Sequence, residues 1–396
     1  MKRNVLLVLM VGLLIFATVT VYAEEKVLTV IHPWAGAEEA LFKPVLEAAE
    51  EELGIKIKTL IYRSEELITL LPAQFAAETA VGDIIFLTVP PLLRKLGQEG
   101  HILEVTGAIN EADFVPGSVD PVKVDGKLYA APYTSKVKPG FWYRKSFFKE
   151  HGLTPPKTWK EFVELLEEIK QIPGIKAPIA SGDGVGWPLS DVTEHFLIAF
   201  GGPQLHRELA DGVMEWTDPC VKGIFEGRLV SLLKAGYFSE PIEWTMLLTM
   251  WWEGDYALYF MGSWITGMVE DPNDLGLFTL PGTMGAAYCI DYLFVPAYIE
   301  QPEEVKKLFA YLVTKGQEVQ VTQGGHIATY LPVPLDAYSP VDRTVAEKAR
   351  AVVALLDLDD KVGGEFQTTF WDQLKLLWVR PERLNDVLKV LEEKAP

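Results

Sequence analysis

The chain has 396 residues, 49% of them hydrophobic, with 55 acidic residues against 36 Lys and Arg, for a formal net charge of −19. That apolar content supports a large core, and the length exceeds what one core ordinarily organises, so two domains are expected. The acidic balance repels nucleic acid and anionic lipid and disfavours a phosphate or sulfate ligand.

Lys2 and Arg3 precede an apolar run over residues 5–21, and Val21-Tyr22-Ala23 is a small-residue cleavage site followed by Glu24 and Glu25. This reads as a secretory leader rather than a retained anchor, because the run is short for a membrane span. No Cys stands near the site to carry a lipid. Residues 1–23 are therefore expected to be removed, leaving an exported protein, periplasmic or at the cell surface. Loss of the two cations leaves 34 Lys and Arg against 55 acids, a net of −21.

A strand is expected over Val27–Ile31, then a loop through His32, Pro33 and Trp34. A helix follows with Leu41, Val45, Ala49 and Leu53 on one stripe, closed by Gly54. Strands at 55–61 and 83–87 complete β-α-β order, which predicts a parallel sheet. Thr158 and Glu161 have capping-box spacing ahead of Phe162, Leu165, Leu166 and Ile169. A helix opens at Pro302, carries Val305, Leu308, Phe309 and Leu312, and is expected to close at Gly316. A last one opens at Pro381 with Leu384, Val387, Leu388 and Leu391. No linker separates two domains, so the chain is expected to cross between lobes more than once.

Eleven tryptophans are the unusual feature. Trp159, Trp216 and Trp378 sit in helical or capping contexts and read as core. Trp34, Trp187 and Trp264 stand beside Gly or Pro, where a rigid indole is poorly placed for a core and well placed to stack on a ligand. A pyranose has one apolar C–H face and a rim of hydroxyls, so an indole covers the face while Asp, Glu, Asn and Arg take the rim. A neutral polyol needs no charge partner, which suits an acidic protein.

The six histidines show no zinc spacing, and no phosphate-loop or nucleophile-elbow motif is present. No metal and no cofactor are expected. The glycine-rich stretch 182–186 lacks the phosphate-loop pattern and reads as a turn or ligand-contacting loop. Cys220 and Cys289 are assigned to different lobes, where a bond would clamp a hinge, so both are expected to stay free.

Several segments carry a family resemblance. Gly126-Lys127-Leu128-Tyr129-Ala130-Ala131-Pro132-Tyr133 looks like a G-K-x-Y-x-x-P-Y segment. Trp142-Tyr143-Arg144-Lys145-Ser146 with Pro155-Pro156-Lys157-Thr158-Trp159-Lys160-Glu161-Phe162 is similar to "Y-N-K … P-P-K-T-W-E-E-F/L". Residues 253–258 through Gly262-Ser263-Trp264 look like "G-x-x-A-M … G-x-W", and Leu280-Pro281-Gly282 matches a return to the first lobe. With these, the chain resembles family 1 extracellular solute-binding proteins of ABC importers, the group that contains maltose-binding protein.

The resemblance implies an α/β, two-lobed type II periplasmic-binding-protein fold with a hinge of three crossings, near 134–138, 280–284 and 313–317. It divides the chain into an N-lobe of 24–133 plus 284–315 and a C-lobe of 138–280 plus 317–396. It implies a non-enzymatic receptor, a monomer, that hands a mono- or oligosaccharide to importer permease subunits. The site residues it carries over are Trp34, Glu38, Arg63, Tyr133, Trp187, Trp264, Asp291 and Trp371. Thr88-Val89-Pro90-Pro91 departs from the polar residues that maltose-type proteins place there, which counts against maltose itself. A polyamine or other non-sugar solute on the same fold, and a secreted glycosidase, are the competing readings.

Overall fold

The computed structural model describes residues 27–396 apart from 185; the leader expected over 1–23 lies outside the described residues. Val27–His32, Lys56–Ile61 and Ile84–Leu87 pair parallel, with the first strand in the middle. Ile84–Leu87 is buried on both faces, as an unbroken apolar run requires. The helix between the first two strands spans Ala37–Leu53 and buries Phe42, Val45, Leu46 and Ala49. The buried stripe is wider than the expected one and shifted by a residue, so Leu41 and Leu53 are only half-buried. Gly54 closes it in the left-handed conformation.

The second sheet runs in the order Leu275–Phe278, Phe141–Arg144, Tyr256–Phe260, Ala177–Ala180. Over it packs helix Trp159–Lys170, which buries Phe162, Leu165, Leu166 and Ile169. Its cap is local chemistry: the Glu161 amide donates to Thr158 Oγ1 at 3.2 Å, and Glu161 Oε2 accepts from the Lys157 amide at 2.7 Å. The C-terminal helix Leu384–Lys394 buries Leu384, Val387, Leu388 and Leu391.

The molecule is two-lobed, with one hydrophobic core in each lobe. The first core takes Leu28 through Tyr133 and Ile290 through Val313. The second takes Phe141 through Leu280 and Leu358 through Leu391. The chain thus passes out of the first core after Tyr133, returns to it by Ile290, and leaves again after Val313. The first two passages lie side by side, because Ala131–Val137 pairs antiparallel with Gly285–Phe294. A third cluster, rich in indoles, joins Trp142, Trp244, Trp251 and Trp264 to Val321, Ile327, Tyr338 and Val345.

The helix that opens at Pro302 does not stop at Gly316. It passes through a π-type turn over Leu312–Gly316 and continues as Gln317–Val321. Gly316 itself is helical, with φ −58° and ψ −37°. It is a packing glycine: a Cβ there would lie 3.3 Å from Val45 Cγ1. Both cysteines are unbonded, Cys220 exposed and Cys289 buried. No helix among the described residues is long and apolar enough to cross a membrane.

Candidate ligand-binding site

One cavity of about 160 Å³ opens between the lobes, lined from both sides and from the strands that join them. The first lobe contributes Trp34, Glu38, Arg63, Thr88 and Val89; the joining strands contribute Lys136, Lys138 and Cys289. The second lobe supplies four indoles, Trp187, Trp244, Trp264 and Trp371, together with Asp191, Asp357, Asp359 and Asp360.

The indoles are held by their neighbours. Trp187 lies 5.7 Å from both Trp244 and Trp264, centroid to centroid, with Trp244 and Trp264 edge-on at 6.3 Å. Such tilted contacts fix ring orientation and leave a face toward the cavity. Trp34 packs against Phe42 at 4.7 Å and Phe86 at 4.9 Å. Trp371 projects from helix Gly364–Val379 and donates its indole N–H to Asp359 Oδ2.

Two glycines give these rings room. A Cβ on Gly262 would collide with the six-membered ring of Trp264 at 1.8 Å, which explains the Gly-Ser-Trp spacing. Gly186 has φ +118°, and a Cβ there would sit 2.5 Å from Trp371 Cβ. We expect Gly186→Ala to push Trp187 and Trp371 apart and destabilise the fold by about 1–3 kcal/mol, from overpacking and backbone strain together. Thermal melts check this; an unchanged midpoint would show that the two segments give way freely.

The lysines organise the charge. Lys138 is 3% exposed and donates to Asp191 Oδ1 at 2.5 Å and Asp357 Oδ2 at 2.7 Å. Burial works against the ammonium, but Asp191 and Asp357 more than offset it and hold its pKa well above the usual range. Lys136 pairs with Asp291 at 3.1 Å. The Nζ atoms of Lys136 and Lys138 lie 5.7 and 5.6 Å from the Trp264 ring centre, within cation–π range. Cys289, Asp357 and Asp360 bring their ligand atoms within 4.8 Å of one another, a grouping that a metal could use.

Glu38 stands in the first turn of its helix. Burial raises its pKa from 4.5 to about 7, against the pull of Lys136. The folded value lies above the unfolded one, so this group's contribution to stability is complete below about pH 4.5 and is lost as pH rises through 7. Glu38→Gln should flatten the stability curve across that window. Melts at stepped pH test it, and an unchanged slope would assign the titration to another group.

Of the eight residues expected at the site, six line the cavity: Trp34, Glu38, Arg63, Trp187, Trp264 and Trp371. Tyr133 and Asp291 are not among the lining residues. Tyr133 is fully buried and donates its hydroxyl to Gln320 Oε1 at 2.5 Å, tying the first joining strand to helix Gln317–Val321. Asp291 is fully buried behind the wall as the counter-ion of Lys136. Sequence reading missed Lys136, Lys138, Asp191, Trp244 and the run Asp357-Leu358-Asp359-Asp360. The signal for the last was available, since three aspartates directly follow the apolar strand Val353–Leu356.

The sequence profile of the bacterial extracellular solute-binding proteins matches residues 34–319. The chain belongs to this family. A relative of this receptor, an ABC transporter extracellular-binding protein of Pyrococcus horikoshii, is 54% identical over 96% of this chain and 91% of its own. Among solved structures, a chitin oligosaccharide binding protein superposes with TM-score 0.80 at 22% identity, covering 94% of this chain and 99% of that one. A bacterial solute receptor that prefers β-D-galactopyranose gives 0.83 at 16% identity, covering 94% and 98%. At these identities the two structures speak for the fold of this solute-binding protein. The family places it among the extracellular binding components of ABC transporters.

Proposed function

We propose that this receptor binds a saccharide in the inter-lobe cavity and delivers it, outside the cytoplasmic membrane, to the permease of an ABC importer. The observation that carries the reading is that five indoles and a rim of carboxylates meet in one cavity lined by both lobes. Flat apolar rings beside hydrogen-bond acceptors complement the two kinds of surface on a pyranose. That structural relatives bind chitin oligosaccharide and galactopyranose supports the same reading.

In this account Trp187 and Trp264 stack on sugar rings, Trp34 and Trp371 close the ends, and Glu38 and Arg63 take hydroxyls from the first lobe. Tyr133 and Asp291 act behind the wall, holding the joining strands. The lobes are residues 24–133 with 284–315 and residues 138–280 with 317–396. Ligand touches both lobes only when they close, so it shifts the open–closed balance by its differential affinity. Closure of this kind is general to periplasmic binding proteins. The protein acts as a monomer and performs no covalent chemistry on its ligand.

Tryptophan fluorescence and calorimetry on the mature chain, across mono- and oligosaccharides with linear polyamines as controls, test this. A saccharide should bind at micromolar Kd or tighter, about −8 kcal/mol, and be recovered unchanged. Binding of polyamines alone would overturn the saccharide reading. Release of reducing ends would overturn the receptor reading.

A further inference from the structure

The second-lobe wall of the cavity and the layer directly behind it hold more carboxyl groups than their own cations answer. Asp191, Glu194, Asp357, Asp359 and Asp360 are each at most 9% exposed. Lys138 is the ammonium among them. His206 lies 2.6 Å from Glu194, but burial lowers its pKa to about 4, so it is neutral near pH 7. Lys361 turns outward to Asp211.

Hydrogen bonds satisfy part of this group. Asp359 accepts from Ser190 and Trp371, Asp360 from Gln367, and Glu194 from the Leu358 amide. Asp191 Oδ2 and Asp357 Oδ1 have no hydrogen-bond partner, although both residues are 2% exposed and line the cavity. Buried carboxylate oxygens are costly to leave unanswered, and a positive donor answers them best.

A second unpartnered group faces the same space. The indole N–H of Trp264, a residue 7% exposed, has no acceptor. An ammonium offers only donors, so a linear polyamine or a metal ion would serve the aspartates and leave this N–H unanswered. A hydroxyl oxygen serves it. The two features are close, since Lys138 Nζ lies 2.5 Å from Asp191 and 5.6 Å from the Trp264 ring centre. A cavity of about 160 Å³ is of the size that takes one six-membered ring.

We infer that the saccharide this receptor takes carries a free, protonated amine, with the ammonium at Asp191 and Asp357 and a hydroxyl oxygen accepting from Trp264 Nε1. The inference rests on the saccharide reading above and narrows it. A neutral or N-acetylated sugar offers the aspartates only uncharged donors. The amino form replaces one of these with a charge-assisted bond inside a buried site.

Calorimetry on the mature chain near pH 7 decides it, with D-glucosamine, D-galactosamine and D-mannosamine each set against its N-acetyl derivative and parent hexose. At least one amine should bind about tenfold or more tightly than both of its counterparts, as expected when a charged hydrogen bond replaces a neutral one. That margin should shrink in added salt. In Asp191→Asn the ratio of amine to parent-hexose affinity, both measured on that variant so that any general weakening cancels, should fall to about threefold or less. Asp357→Asn serves if the first variant does not fold, and the wild-type comparison stands without either. If neutral saccharides bind as well as the amines or better, the inference is overturned and the saccharide reading survives. If no saccharide of any kind binds, both fall.

Discussion

Replacing Trp264 with Ala should weaken saccharide binding by about 2 kcal/mol or more, roughly 30-fold, as loss of a central aromatic anchor does. Trp264 borders the main cavity and also a side chamber of about 30 Å³ shared with Glu38, Lys136, Gln320 and His326. Trp34, Glu38 and Lys136 line both spaces as well, but it is the Trp264 ring that packs against Trp187 and Trp244 and lies within cation–π range of Lys136 and Lys138. The same residue is 7% exposed, so truncation also leaves a void, and folding stability should drop by about 3–5 kcal/mol. Trp264→Phe separates the effects: it keeps most of the packing and removes the indole N–H. Titration calorimetry on folded protein gives the answer. Wild-type affinity in a folded Ala variant would remove this ring from the binding surface.

Lys138→Met should cost the fold as much stability as the loss of Trp264. The ammonium is 3% exposed between Asp191 and Asp357, and its loss leaves two buried carboxylates without their counter-ion. Breaking a buried pair from one side costs about 3–5 kcal/mol. For lobes of this size, that lowers Tm by roughly 10 °C. The sign of the pH dependence follows from the acids. Burial already raises the Asp191 pKa above its usual 3.8, and Lys138 is what pulls it back down. Without Lys138 the folded state takes up protons that the unfolded state releases, so the variant regains stability as pH falls toward 3.8. Melts of both proteins at neutral and mildly acidic pH measure the gap. A gap that stays constant, or no gap, would mean that Asp191 is already neutral in the wild type.

Some elements were legible because their causes are local. The helix Trp159–Lys170 needs only a Thr158 cap and apolar residues at three- and four-residue spacing, and all four expected core positions are buried. Gly54 closes its helix because only the backbone at that point decides. Gly316 failed the same logic: its backbone is helical, and its lack of a side chain serves close packing on Val45, more than 250 residues earlier in the chain.

The site divides along the same line. Trp34, Trp187 and Trp264 could be picked out by residue type and by glycine or proline context, Trp371 only by the family resemblance, and all four reach the cavity. Lys138 carries no such mark. It stands just past the strand Ala131–Val137, and only the folded chain brings Asp191 and Asp357 to it from 53 and 219 residues away.

The sequence by itself determined the helices, the β-α-β order and the supply of loop indoles, because apolar periodicity, caps and residue type are properties of short segments; the two-lobed architecture was legible through the motifs that carry the family resemblance. Which charges are buried together, which of them stay unmatched, and that Tyr133 and Asp291 brace the joining strands from behind were decided by tertiary structure alone. Electrostatic pairing depends on distance and desolvation, and neither is defined until the chain has folded.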